Sequence, residues 1–261
     1  MNFNQFIIES KFWGMSISDF LEYLEKVSSN NLIYIDTETT GLIEDEYEVQ
    51  LTQVSALVVD YNYLKNTSNE VDFYNKKIKL TDKTKSLKRD PSNKIGKILS
   101  FNHYGSNGVD YIEEDQALAE LYNFLDKFKP SVWIIQNASF DMYFLNTRQS
   151  KFRFKQPIID TKDIAQLFYL PLLQTLAKKD SFYANKIKQI GVSTRDSGLI
   201  SSSLSKIGPS LGINMSGYHD SLTDCKLTVQ MFEKMIEILK ENKDVDIKEF
   251  QQERIKVIRS I

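Results

Sequence analysis

The spacing of apolar residues divides the chain into helices and strands. In residues 16–28, Phe20, Leu21, Leu24 and Val27 recur at helical intervals, with Ser16 or Ser18 available as N-cap. Leu32-Ile-Tyr-Ile-Asp-Thr-Glu-Thr-Thr-Gly-Leu42 begins as an apolar, β-branched run and ends at Thr-Gly, the pattern of a buried strand entering a turn. Residues 49–60 alternate and then become solidly apolar, which predicts a second strand, and 71–80 predict a third. From 81 to 110 the chain is polar and irregular, with Lys83, Lys85, Lys88, Arg89 and Pro91.

Helical spacing returns over 113–128, at Leu118, Leu121, Tyr122, Leu125 and Phe128, and Pro130 ends it. Val132-Trp-Ile-Ile135 predicts a short buried strand feeding a helix over 139–148. Ile158-Ile159 predicts a brief strand before a helix over 161–169. Further helices are expected at about 203–211, 218–238 and 245–259. Strands in a meander, followed by strands alternating with helices, predict an α/β fold with a mixed sheet. The expected domain layout is a helical extension over 1–30, a main domain over 31–240 and a C-terminal helix over 241–261. Within the main domain, 171–203 is rich in Lys, Ser and Gly with weak periodicity, and reads as a surface insertion. Lys178, Lys179, Lys186, Lys188 and Arg195 make it a candidate flap over nucleic acid, with a solvated loop as the plainer reading.

Composition narrows the picture modestly. With 41% hydrophobic and 26% charged residues, the 261-residue chain has the make-up of a globular protein. No apolar run approaches the ~18 residues of a membrane span, so no membrane partner is expected. The N-terminus lacks the pattern of a signal peptide. A single cysteine, Cys225, excludes an intramolecular disulfide and a cysteine-cluster metal site. A reducing cytoplasm, in a bacterium or a virus-infected host cell, is the expected compartment. The net charge of -2 argues against holding nucleic acid by bulk electrostatics. It leaves room for an enzyme that grips a few nucleotides through metal ions. His103 and His219 are the two histidines, so any imidazole chemistry has two candidates.

The strand end at 36–38 carries the first chemical signal. Alternate strand residues share a face, so Asp36 and Glu38 project together. Two like charges that close repel unless something neutralises them, and a divalent cation does so. A third carboxylate, Asp141, stands in Gln136-Asn-Ala-Ser-Phe-Asp141 at a helix start just beyond a buried strand, where open α/β sheets place ligands. His219, Asp220 and Asp224 follow in Tyr218-His-Asp-Ser-Leu-Thr-Asp224. Positions five apart do not share a helix face. A His219 preceding the helix, however, can fold its ring toward the ions while Asp224 points inward. Each piece alone also fits a plain structural role: a solvated pair, a helix start, a lone capping histidine.

Together, Asp36-Thr-Glu38-Thr-Thr-Gly-Leu42, Asn137-Ala-Ser-Phe-Asp141 and His219-x4-Asp224 resemble the three motifs of the DEDDh 3′–5′ exonucleases, the family of the proofreading epsilon subunit of bacterial DNA polymerase III. The resemblance covers roughly 32–236 and includes Asp160-Thr161 and Leu204-Ser-Lys-Ile-Gly…Leu211-Gly-Ile. One departure is Gln136, where family members often carry His.

The resemblance implies a ribonuclease-H-like fold, a five-stranded mixed sheet flanked by helices. It implies that Asp36, Glu38, Asp141 and Asp224 hold two ions, Mg²⁺ or Mn²⁺, with Asp36 bridging, and that His219 is the general base. Such an ion pair, ~3.5–4 Å apart, suits in-line phosphoryl displacement. The Thr39 amide would meet the terminal 3′-hydroxyl and Leu42 would wedge against the last base. Phe140 would stack or pack, and Asn137 would fix the turn beside the substrate. The implied activity is removal of nucleoside monophosphates from the 3′ end of single-stranded or frayed DNA, with proofreading and a DNA polymerase partner left open. An exoribonuclease of the same family and a non-catalytic, nucleic-acid-binding polymerase accessory subunit are the alternatives. The remaining motifs read as structure: Asp160 as a helix N-cap, Glu44 to Glu48 as a solvated acidic face, and the helix at 245–259 as a cover for the core or a polymerase dock.

Overall fold

The computed structural model describes residues 11–42, 49–82, 84, 98–99, 104, 110–148, 156–191 and 199–260. His103, Glu44 to Glu48 and Arg195 lie outside them. Helix α1 (Ile17–Val27) starts at Ser16, whose side chain and Asp19 form a reciprocal capping box. The strands are β1 (Asn31–Thr39), β2 (Leu51–Asn62), β3 (Thr67–Ile78), β4 (Tyr111–Ile112), β5 (Ser131–Ile135) and β6 (Ile158–Asp160). They form one mixed sheet in the order β4-β3-β2-β1-β5-β6. The pairs β1/β2 and β2/β3 are antiparallel; β3/β4, β1/β5 and β5/β6 are parallel. Among the described residues the sheet therefore has six strands where the family resemblance implied five, the extra one being the two-residue β4.

Helices cover both faces. Helix α2 (Glu114–Asp126) and α3 (Ala138–Arg148) pack on one face, with Ile33, Ile35, Val54, Ala56, Val58, Trp133 and Ile135 beneath them. The opposite face carries Leu32, Tyr34, Leu57, Val59, Val132 and Ile134. These meet a long helix, α8 (Ser221–Glu241), through buried Met231, Phe232, Met235 and Ile236. The alternation along β1 thus decides which face each of its residues serves.

Between β6 and α8 come α4 (Thr161–Ile164), a π-helical turn at Ala165–Tyr169, α5 (Leu170–Ala177), α6 (Ser181–Ile190) and α7 (Leu204–Ser210). The helix expected over 161–169 is thus widened into a buried π turn. The stretch expected as a surface excursion contains two helices of different character. Helix α5 buries Leu170, Pro171, Leu172 and Leu173 in the core, whereas in α6 Ile190 is the buried residue. The last helix, α9 (Lys248–Ser260), buries Gln251 and Arg254, and Gln251 donates to the carbonyls of Met15 and Leu167. The α1 side chains Phe20, Leu21 and Leu24 belong to the same core as α8, with Phe20 stacked on Phe168 at 4.5 Å between ring centroids.

Candidate metal and catalytic site

The site forms where β1 outruns β5. Parallel pairing of these strands stops at Ile35↔Ile135, so the Thr37 amide no longer has a strand partner on that side. The chain leaving β5 turns at Asn137 into α3, and Asp141 in the first turn of α3 takes that amide. Thr37 donates to Asp141 Oδ1 through its backbone N–H at 2.8 Å and its hydroxyl at 2.7 Å. Asp141 is buried, at 2% exposure. Burial raises its pKa to about 7 against the Thr37 bonds, with Asp160 adding to the rise.

The turn itself is held by Asp160. Asn137 has φ 65, a left-handed conformation that Asn tolerates better than most residues. The amides of Asn137 and Ala138 donate to the two carboxylate oxygens of Asp160, at 2.9 and 2.8 Å. Asp160 also caps α4 by accepting from the Lys162 amide at 2.8 Å. Lys162 Nζ donates to the Asn137 side-chain oxygen at 3.0 Å. The N-cap reading of Asp160 is right but covers only part of its bonding. Gln136 is tied down on the same edge: its amide donates to Ser202 O at 3.0 Å, and its oxygen accepts from Thr161 at 2.5 Å.

On the other face, Asp36 and Glu38 follow Leu32 and Tyr34 toward α8. The N-terminus of α8 is bound to β2. Asp220 is its N-cap, accepting from Thr223 N at 3.2 Å, and also accepts from Gln53 Nε2 at 3.0 Å. Lys77 Nζ lies 4.0 Å from Asp220, and Ser55 and Ser221 share a hydroxyl bond of 2.6 Å. This tether fixes both His219, just before the helix, and Asp224, in its first turn. His219 has φ 74, and its amide lies 3.3 Å from each Asp224 carboxylate oxygen. Its half-buried ring lies 3.7 Å from the Tyr218 ring, centroid to centroid. Burial lowers the pKa of His219, keeping the imidazole neutral near pH 7.

Glu38, His219 and Asp224 each place a ligand atom within 4.8 Å of the others. Asp36 is the most frustrated member. Its Oδ2 is sealed from solvent and has no hydrogen-bond partner among the described residues. Burial drives its pKa well above the ordinary carboxylate range, and the charges of Asp141, Glu38, Asp224 and Asp220 push it further, in that order. Burial likewise raises Asp224 to about 7, opposed by the His219 amide. A buried, unpartnered carboxylate oxygen among like charges is costly. A hard divalent cation supplies both the missing partner and the neutralising charge, so the residues present fit such an ion.

The positions expected at the substrate are placed more loosely. Thr39 is buried beyond a bulge in the β1/β2 register, and its hydroxyl donates to Gly41 O at 2.6 Å. Leu42 is half-buried just beyond. Phe140 is half-buried and meets Phe144 edge-on at 5.1 Å, so its ring packs. Asn137 shapes the turn, as described.

No protein-family model matches the chain, and no curated protein matches it in sequence. Solved structures match it in shape. One is E. coli exonuclease I in complex with a dA16 oligonucleotide, 16% identical with a TM-score of 0.52. Another is the zinc-bound form of the E. coli exonuclease I–single-stranded DNA complex, 15% identical, also with a TM-score of 0.52. Each match covers 82% of this chain and 42% of the exonuclease I chain. The chain shares the fold of the matched part of exonuclease I, less than half of that protein. The ribonuclease-H-like α/β architecture expected from the sequence is therefore the one observed.

Sequence reasoning did not find the supports of this site: Thr37, Gln53, Ser55 and Lys77. A signal for three of them existed. Thr37, Gln53 and Ser55 are buried polar residues inside otherwise apolar strands, and a buried polar group needs a partner. Which partner it finds depends on elements far away in sequence.

Proposed function

We propose that the chain is a metal-dependent 3′–5′ exonuclease that releases nucleoside monophosphates from single-stranded or frayed DNA. The observation that carries this reading is Asp36 Oδ2, buried and unpartnered amid the carboxylates of Glu38, Asp141 and Asp224. The DEDDh motifs, the fold and the oligonucleotide complex of the exonuclease I neighbour point the same way.

In this reading Asp36, Glu38, Asp141 and Asp224 hold Mg²⁺ or Mn²⁺. The bound ions supply an activated water and charge neutralisation at the scissile phosphate. The rest falls to the chain. His219, neutral near pH 7, accepts the proton of the attacking water at an imidazole nitrogen. The tether from Gln53 and Ser55 to Asp220 and Ser221 keeps that ring and Asp224 in register with β1. Thr37 fixes the orientation of Asp141. The backbone at Thr39 and the side chain of Leu42 receive the 3′ nucleotide. The epsilon-like placement, a proofreading role and a polymerase partner rest on the motifs alone.

A panel of labelled single-stranded DNA, RNA and mismatched duplex tests the proposal. The expected result is stepwise shortening of DNA from its 3′ end in Mg²⁺ or Mn²⁺. Degradation of RNA alone would transfer the reading to an exoribonuclease. Binding without hydrolysis of any polymer would favour the accessory-subunit alternative.

A further inference from the structure

A general base has to come within ~2.6–3.2 Å of the oxygen whose proton it takes, and an imidazole turns about two side-chain torsions. His219 also has φ 74, a strained value for a residue with a side chain, which persists where its surroundings over-determine it. The loop from α7 to α8 shows how that is done. The Tyr218 amide donates to Met215 O at 3.2 Å and closes a turn over residues 215–218. The turn rests closely on α7: a Cβ built on Gly208 would lie 2.6 Å from Met215 Sδ, so a larger residue there would displace the methionine. It is equally close to α8, since a Cβ on Gly217, at φ 81, would meet Thr223 Cγ2 at 3.3 Å.

Tyr218 projects from this fixed turn. Its ring packs against the same core as α8, and the Ser205 side chain of α7 lies beside its hydroxyl. Burial raises the phenol pKa to about 12, and the charges of Asp224, then Asp36 and Glu38, add to the rise. The hydroxyl is therefore neutral and borders the acidic cluster. The Tyr218 and His219 rings are tilted by 47° with centroids 3.7 Å apart, nearer than the ~4.5–7 Å of ordinary aromatic pairs. Tyrosine thus walls one side of the imidazole, while an imidazole nitrogen lies within 4.8 Å of carboxylate oxygens of Glu38 and Asp224.

We propose that Tyr218 is the positioning residue for His219: its ring, anchored on α7, fixes the angle at which the imidazole nitrogen faces Glu38 and Asp224. The inference rests on the exonuclease reading, because the group being aimed is the base of that reaction. Tyr218 touches no reacting atom and acts through its ring face, so the ring is needed and the hydroxyl is not.

With two histidines in the chain, the His219 ring can be read by NMR on the histidine-labelled full chain, assigned through His219→Gln. In the wild type the Tyr218 ring current should displace the His219 ring protons from their free-imidazole positions. Tyr218→Phe should keep that displacement and Tyr218→Leu should lose it. On 5′-labelled single-stranded DNA in Mn²⁺, Tyr218→Leu should lower kcat about tenfold or more at unchanged KM, and Tyr218→Phe should retain the wild-type kcat. Circular dichroism checks folding, and Tyr218→Met takes the place of the leucine variant if that one is unfolded. Ring signals undisplaced in the wild type, or unmoved in Tyr218→Leu, overturn the proposal whether or not DNA is cut. So does a folded Tyr218→Leu protein with wild-type kcat, or a Tyr218→Phe protein as impaired as Tyr218→Leu. A wild type that cuts no DNA fails the exonuclease reading instead, and the ring signals then still decide whether Tyr218 holds the imidazole.

Discussion

Thr37 gives both its amide and its hydroxyl to the same oxygen of Asp141, at 2.8 and 2.7 Å, and so joins β1 to α3 at the point where β5 stops pairing with β1. Hydrogen bonds to a charged group contribute about 1.5–3 kcal/mol. Thr37→Val keeps the shape and the amide bond but removes the hydroxyl. It should cost about 1.5 kcal/mol in a denaturant titration, and lower the proposed exonuclease activity because Asp141 is held less firmly. An unchanged midpoint would mean that the hydroxyl contributes nothing.

Asp160 accepts three backbone amides, those of Asn137, Ala138 and Lys162. Asp160→Ala leaves all three without this acceptor and should destabilise the fold by about 3 kcal/mol or more. Asp160→Asn can keep only part of the set and should fall between. Thermal melts of the two variants order them, and equal losses would refute the shared-acceptor account.

Tyr34 works in the opposite sense. Its hydroxyl is buried under α8 without a hydrogen-bond partner among the described residues, and burial raises its pKa well above the ordinary value. Tyr34→Phe removes that unmet desolvation cost and should stabilise the protein by about 1 kcal/mol, with activity retained. A destabilised Phe variant would show that the hydroxyl has a partner.

The acidic cluster sets a pH dependence whose sign can be worked out. Asp36, Asp141 and Asp224 all have raised pKa values in the fold, the latter two to about 7 against an ordinary 3.8. Between those values the folded metal-free protein binds more protons than the unfolded chain. Its stability is therefore fully present below about pH 4 as far as these groups are concerned, and is lost as pH rises toward 7. Each group contributes at most about 1.4 kcal/mol per pH unit. A divalent cation binds the ionised cluster and should offset the loss. Melting curves in chelator and in millimolar Mn²⁺ should diverge as pH rises, with the larger Mn²⁺ stabilisation at about pH 8 than at about pH 5. A Mn²⁺ effect independent of pH would separate the ion from these carboxylates.

Much of this arrangement is legible in the sequence because strand alternation is local. Once Leu32 and Tyr34 are on one face, Asp36 and Glu38 follow them, and Asp36 does so with its neighbours named by motif. The helix expected from about 218 starts instead at Ser221, capped by Asp220, which places His219 just before it. What could not be read is the result of distant contacts. The polar residues at 67–70 extend β3 beyond the expected 71–80 because they pair with β2, not because of their own pattern. Two residues suffice for β4, too few for any periodicity. Helix α5 looks weak among lysines and becomes core because α9 packs against it from more than 70 residues later. The tether from Gln53 and Lys77 to Asp220 joins three elements that no single stretch of sequence connects.

The central claim is that Asp36, through its unpartnered buried oxygen, holds a catalytic divalent ion for cutting DNA from the 3′ end. The most direct test compares wild type and Asp36→Asn on 5′-labelled single-stranded DNA in Mn²⁺, with folding checked by circular dichroism. The account predicts a ladder of products shortened one nucleotide at a time by the wild type, and a loss of at least about 100-fold in the variant. A folded Asp36→Asn protein that degrades the strand at the wild-type rate would contradict it.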